Sequence, residues 1–212
     1  MFLIIFALVC CWGADLVFKY KGKDRRYTKP FLIPLILVLY ISCCFRFHVS
    51  VHPAEVVALV FGWIGDISLM GKSDRSFLIG LCAFLIGHVA YLLMFLRLHV
   101  PAVSAKCLMA VLFYAAYASL FYHSLMQYAQ DHWKKPIVFY IVMISSMSLC
   151  ACLLHGDISL SAWGCLWGGS LLFMISDSLV AWEKFADPSI HGVMETYVSA
   201  QVLIMIGVLL LG

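Results

Sequence analysis

The sequence predicts an all-α membrane protein with eight transmembrane helices, and three observations carry that prediction. Of 212 residues, 64% are hydrophobic and 12% are charged, against about 45–50% and about 25% in a soluble domain. The apolar residues fall in long runs, the signature of helices, whereas a transmembrane barrel shows short alternating strands. The segments between the runs are short, so residues 1–212 are expected to form one integral membrane domain. The net charge of +3 matters less than where the charges sit.

A span needs about 20 apolar residues. Such runs place helices at 2–18, 30–47, 53–70, 76–97, 102–125, 136–154, 160–182 and 192–211. The first run begins at once, with no basic n-region or small-residue cleavage site, and is expected to stay as a span. Residues 19–29 follow, with Lys19, Lys21, Lys23, Arg25, Arg26 and Lys29. With Lys72, Arg75, Lys134, Lys135 and Lys184, that side of the membrane holds 11 of the 14 basic residues, leaving Arg46, Arg97 and Lys106 opposite. The positive-inside rule then puts these loops in the cytoplasm and both termini outside. A basic loop touching anionic lipid explains the first segment, and no nucleic-acid partner is expected.

Lys29-Pro30 is expected to open the second helix and Lys135-Pro136 the sixth, proline being suited to a first helical turn. Asp66 and Asp177 fall at matching places near the inner ends of the third and seventh. This spacing suggests two parallel four-helix repeats related by an axis along the membrane normal. Gly-Asp-Ile-Ser-Leu occurs twice, at 65–69 and 156–160. The second copy falls in an outer loop, out of phase with the repeat, and reads as coincidence. The nine cysteines include no CxxC, and packing is favoured over disulfides or metal. No HExxH, GxSxG or clustered Cys/His set occurs, so no metal or cofactor is expected. His48 and His52 stand four apart, but on an outer loop before a proline, and are discounted as a metal pair.

A charged side chain at a helix centre in the bilayer costs about 2.5–3.5 kcal/mol and demands a reason. At 1.5 Å per residue, Asp66 sits about 6 Å and Asp177 about 7 Å from the inner ends of their helices. Asp15 and Glu195 are similarly placed, while His88 and Gln201 lie deeper. Polar groups therefore gather in the cytoplasmic half, and the outer half is expected to be apolar apart from its rim. That pattern describes a pocket open to the cytoplasm or inner leaflet; a pore needs polar residues at every depth. Phe84, His88 and Tyr91 form one stripe on the fourth helix, and Tyr197 and Gln201 pair on the eighth. Gly62 and Asp66 share a face, and Gly65 leaves room for another backbone.

Each polar residue also has a plainer reading. His88, Tyr91, Tyr197 and Gln201 serve equally as interhelical ties. Asp15 is near enough to the basic loop to be an interface residue, and Glu195 can snorkel to water. Trp63 and Trp182 fit as belt or packing aromatics. Packing explains the two aspartates poorly. Two nearby carboxylates in a low-dielectric pocket do not both ionise readily, which leaves one general acid and one general base. Glycoside hydrolysis divides labour in this way around an oxocarbenium-like centre. A lipid vinyl ether, protonated at its β-carbon, passes through the same kind of ion.

Thr28-Lys29-Pro30-Phe31, Gly65-Asp66, Ala83-Phe84-Leu85-Ile86-Gly87-His88-Val89-Ala90-Tyr91, Ser176-Asp177-Ser178 and Tyr197-Val198-Ser199-Ala200-Gln201 resemble motifs of the YhhN-like lysoplasmalogenase family of membrane proteins. The likeness runs from about residue 28 to the C-terminus. It implies eight helices and hydrolysis of the vinyl ether bond of lysoplasmalogens to a fatty aldehyde and glycerophosphocholine or glycerophosphoethanolamine. Asp66 and Asp177 match the family's acidic positions; Glu195 lies outside its motifs. The resulting expectation is a polytopic ether hydrolase whose partners are the bilayer and a single-chain lipid. It would lie in the inner membrane of a bacterium or the endoplasmic reticulum of a eukaryote, with its site toward the cytoplasm. Asp66 and Asp177 share the acid and base roles. His88, Tyr91, Tyr197 and Gln201 position water or the glycerol backbone, Lys29 meets phosphate, and Trp63 or Trp182 faces the headgroup cation. Two other classes stay open: a proton-coupled transporter with the aspartates as relays, and a non-catalytic lipid-binding or assembly protein.

Overall fold

The computed structural model describes residues 1–21, 25–71, 73–98 and 104–212, and these residues are helical with no strands. Eight α-helices run in order: α1 (Phe2–Tyr20), α2 (Lys29–Phe47), α3 (Pro53–Leu69), α4 (Asp74–Leu98), α5 (Ala105–Met126), α6 (Asp131–Leu153), α7 (Leu160–Phe185) and α8 (Val193–Leu209), with a 3-10 turn at Arg25–Tyr27 before α2. Every predicted apolar run is a helix, because apolar side chains leave the backbone no polar partner except itself. Lys23 and Lys72 of the charge count, and residues 102–103 of the fifth predicted span, lie outside the described residues.

Two helix ends depart from the apolar pattern. α6 starts at Asp131 rather than 136, with Asp131 in its first turn and Lys134 Nζ 2.8 Å from the Asp131 carboxylate. Its polar first turn is anchored by buried Trp133, whose ring packs 5.8 Å from that of Phe185. Pro136 is therefore inside the helix, not at its opening, and Pro34 occupies the equivalent sixth position of α2. The match of Pro30 with Pro136 is corrected to Pro34 with Pro136. α7 in turn runs on to Phe185. Asp66 is three residues from the end of its helix and Asp177 eight, or about 5 Å and about 12 Å. Their expected equal distance from the helix ends does not hold, since apolar runs mark where lipid lies and not where helices stop.

The repeated pentapeptide takes two unrelated conformations. Gly65 to Leu69 are the last residues of α3, while Gly156 turns at φ +100° in the loop before α7. At the α2–α3 loop, His48 adopts φ +57° and closes α2. His52 Nδ1 accepts the Ala54 N–H at 3.3 Å and opens α3, and its own N–H donates to Tyr40 Oη at 2.8 Å. Both histidines thus belong to helix ends.

The chain forms two compact units, residues 1–90 with Gly212 and residues 91–211, divided within α4. In the first, α2 packs on both α1 and α3, around buried Leu32, Ile33, Ile36, Tyr40 and Leu59. In the second, α6 packs on α5 and α7, and α7 makes its most extensive contact with α8. Glycines make that seam close. A Cβ on Gly169 would meet the Ala200 carbonyl oxygen at 3.0 Å, and one on Gly207 the Leu166 nitrogen at 3.0 Å. Small residues of this kind let membrane helices approach backbone to backbone.

The outward faces are apolar: Phe2, Leu3, Phe6 and Val9 on α1, and Leu108, Met109, Leu112, Phe113 and Leu120 on α5. Among the described residues, six segments are long and apolar enough to cross a membrane; α3 and α8 have 17 residues each.

Candidate active site

In the first unit, the polar residues gather where the basic segment meets the helix ends. Asp15 is fully buried on α1. It accepts two N–H groups of Arg25 and the Thr28 hydroxyl at 2.7 Å. A bidentate guanidinium is the geometry that best compensates a buried carboxylate. Asp15 is therefore a brace that folds the basic segment onto α1, in keeping with its interface reading. Thr28 and Lys29 follow directly, so the brace fixes where α2 begins.

Asp66 is 2% exposed on α3. Lys29 Nζ, on a side chain 13% exposed, lies 3.4 Å from its Oδ1. Its Oδ2 is buried with no hydrogen-bond partner among the described residues. The adjacent Trp63 is 39% exposed and donates its indole N–H to the Pro30 carbonyl at 2.8 Å. Lys29 and Pro30 are thus tied to α3 twice, once by charge and once by a hydrogen bond. The lysine expected at a phosphate rim faces Asp66, and the indole N–H of Trp63 is engaged with backbone. Beside Asp66, a Cβ on Gly65 would meet the Phe84 ring at 2.7 Å, so the space left by Gly65 is filled by an aromatic side chain. His88 is fully buried on α4.

The second unit holds the other expected residues. Tyr140 on α6 donates its hydroxyl to Asp177 Oδ2 at 2.5 Å. The next residue, Ser178, is 2.5 Å from the hydroxyl of Tyr117 on α5. Tyr91 donates to Gln201 Oε1 at 3.0 Å, and Gln201 Nε2 donates to the Tyr197 hydroxyl at 3.4 Å. These three residues come together and tie α4 to α8, the plainer of their two readings. The Tyr197 ring meets Phe173 edge-on at 5.3 Å. Glu195 is half-buried in the first turn of α8, where a negative charge suits the helix dipole. Trp182 packs in an aromatic cluster with Phe121 and Tyr128, at 6.5 and 6.0 Å.

Buried polar groups also occur toward the helix ends that the sequence predicts to be apolar. Tyr114, Ser148 and Ser170 are buried and joined through hydroxyls at 2.7 and 2.9 Å, and Trp167 donates to Tyr114 at 3.1 Å. Glu55, in the first turn of α3, is fully buried. Sequence reasoning missed Tyr140, Tyr117 and Glu55. Both tyrosines lie in apolar runs, where a hydroxyl blends with its aromatic neighbours, and Glu55 reads as an ordinary first-turn acid. Among the described residues no group of three or more His, Cys, Asp or Glu side chains is arranged to hold a metal ion. The nine cysteines are free thiols.

Long apolar helices with exposed hydrophobic faces, and a few buried polar side chains within each unit, define an integral membrane protein. The chain belongs to the YhhN family, whose model matches residues 24–208. It is 34% identical over 155 residues to lysoplasmalogenase TMEM86B of Sus scrofa, covering 71% of this chain and 61% of that protein. The protein of the same name from Homo sapiens is 31% identical over 155 residues, covering 72% and 62%. The chain spans about three-fifths of the length of these curated relatives. No solved structure matches it.

Proposed function

We propose that this protein is a lysoplasmalogenase-type hydrolase that cleaves the vinyl ether bond of a single-chain ether phospholipid. The observation that carries the reading is that the family match spans both Asp66 and Asp177, alongside relatives named for this activity. One aspartic acid protonates the β-carbon of the vinyl ether, giving an oxocarbenium ion. Water adds at the α-carbon and surrenders a proton to the other carboxylate. The resulting hemiacetal collapses: its hydroxyl proton returns to the first carboxylate, and the second acid protonates the departing alkoxy oxygen. The products are a fatty aldehyde and glycerophosphocholine or glycerophosphoethanolamine, and both carboxyl groups regain their starting states. General acid–base assistance of this kind contributes about 10²–10⁴-fold.

Lys29 holds Asp66 in this reading. Tyr91, Tyr197 and Gln201 fix the neighbouring helices, and His88 and Glu195 remain candidates for contacting water or the glycerol backbone. Trp63, at the protein's outer surface, is a candidate for the headgroup cation. All eight helices cross the bilayer; α3 and α8, at about 25 Å, lie at the short end of the spanning range. Both termini face outward and the site faces the cytoplasm, following the bias of basic residues. The host membrane is the inner membrane in a bacterium or the endoplasmic reticulum in a eukaryote.

The test is aldehyde release by the purified full chain in detergent, given a defined lysoplasmalogen, with and without a chelator. Aldehyde and free glycerophospho-alcohol in equal amounts are expected in both arms. Folded protein that releases neither overturns the hydrolase reading. A proton-coupled transporter, which the intramembrane carboxylates also suit, would release no aldehyde but would move substrate in proteoliposomes under a gradient.

A further inference from the structure

We propose that Asp15 is a positioning residue for this hydrolysis: through Arg25 and Thr28 it sets Lys29 against one oxygen of Asp66 and leaves the other oxygen to exchange the proton. The inference rests on the ether-hydrolase reading above and extends it to a carboxylate outside residues 24–208, which the family model matches. It holds whether Asp66 gives a proton or takes one.

All the residues concerned belong to the first unit. Asp15 is fully buried on α1. Arg25 Nε donates to its Oδ1 at 3.1 Å, a second guanidinium N–H donates to its Oδ2, and the Thr28 hydroxyl donates to its Oδ1 at 2.7 Å. One turn earlier on the same face of α1, the Cys11 thiol donates to the Thr28 carbonyl at 3.4 Å. Thr28 is therefore held by its hydroxyl and its carbonyl at once. Burying an ion pair is a poor route to stability, because desolvation offsets the attraction, and its best-attested use is to fix register. The register fixed here is that of the first turn of α2, which Thr28 immediately precedes.

Lys29 is the next residue. Its ammonium sits on a flexible four-carbon stem that chooses no direction by itself. With the backbone before it pinned, Lys29 Nζ lies 3.4 Å from Asp66 Oδ1. Trp63, one turn before Asp66 on α3, donates to the Pro30 carbonyl at 2.8 Å. Two adjacent residues of α2 thus meet α3 at adjacent turns. Asp66 Oδ1 is engaged by this contact, and Oδ2 is buried with no hydrogen-bond partner among the described residues. A buried oxygen left so is costly. In the hydrolysis the reaction supplies its partner, and Oδ2 is the atom through which Asp66 passes or receives its proton.

The experiment uses the purified full chain and compares Thr28→Val, which removes the hydroxyl at nearly constant volume, with Thr28→Ser, which keeps it. Tyr40→Phe is the control. It removes a buried hydroxyl that accepts the His52 N–H, about 16 Å along α2 from Lys29. In the aldehyde assay, Thr28→Val is expected to lower kcat about 10- to 100-fold with KM within about 3-fold. Thr28→Ser and Tyr40→Phe should stay within about 3-fold of wild type in both constants. Asp15→Asn should lower kcat at least as far as Thr28→Val; if it does not fold, the Thr28 pair decides alone. Infrared difference spectra against Asp66→Asn isolate the Asp66 signal, which Thr28→Val should shift and Tyr40→Phe should leave in place. Either an unchanged kcat or an unchanged Asp66 band in Thr28→Val overturns the proposal. So does a loss of kcat in Thr28→Ser or Tyr40→Phe equal to that in Thr28→Val, which would mark Asp15 as a structural tie alone. If wild-type protein releases no aldehyde, the hydrolase reading fails and this catalytic role fails with it. The infrared comparison then still decides whether the Asp15 brace governs Asp66.

Discussion

Asp66 and Asp177 present the same functional group from long apolar helices, yet they are held in different ways. Asp66 is almost wholly buried and faces a cation, Lys29, with one oxygen left without a hydrogen bond among the described residues. Asp177 is half-buried, and one of its bonds is to a neutral hydroxyl, that of Tyr140. A buried ion pair depends on both members, since either one alone is an uncompensated charge. A hydroxyl donor orients a carboxyl group without bringing a second charge. The first arrangement ties an acid to the stability of its unit; the second ties an acid on α7 to a hydroxyl on α6.

The largest expected effect tests whether both acids serve one reaction. Asp66→Asn and Asp177→Asn should each lower aldehyde release by about 10²–10⁴-fold, measured beside circular dichroism to confirm the fold. Full activity in either variant removes that residue from the mechanism. Next comes the difference in anchoring. Lys29→Met should destabilise the protein by about 3–5 kcal/mol, the cost of stranding a buried charge. The double variant Lys29→Met/Asp66→Asn should recover most of that loss in thermal unfolding. If the double variant is no more stable than the single, the ion pair is not what secures Asp66.

A smaller effect separates the backbone of α7 from its acid. Gly169→Ala should cost about 1–3 kcal/mol, because its Cβ would press on α8 backbone. Gly168→Ala, whose Cβ meets nothing within 4 Å, should stabilise by up to about 1 kcal/mol through helix propensity. Equal melting shifts in the two variants would contradict the close α7–α8 seam. The smallest effect belongs to the second tether: Tyr117→Phe should cost about 0.5–1.5 kcal/mol, the worth of one hydrogen bond, read by chemical unfolding.

The residues that were legible in the sequence were those whose type is costly in lipid. Asp66, Asp177, His88 and Gln201 stand out in an apolar run because each needs an explanation there. Tyr91, Tyr197 and Gln201 were placed by helical spacing, and they do meet. Their plainer reading as interhelical ties describes the bonds they make. Lys29 was noticed for its charge, but its pairing with Asp66 was not read, since its place before Pro30 says nothing about where its ammonium turns. Tyr140 and Tyr117 were invisible, because one hydroxyl barely lowers the mean hydropathy of a long apolar run and leaves its periodicity unchanged.

What the sequence determined alone is local: eight apolar segments, hence eight helices. In lipid each backbone must satisfy its own hydrogen bonds, and the helix does that within a single run of chain. What only the tertiary structure decided is which polar side chain answers which. Trp63 bonds a carbonyl 33 residues away and Tyr91 an amide 110 residues away. Nothing in the composition of one segment records the other, since side chains find their partners only after helices have packed face to face.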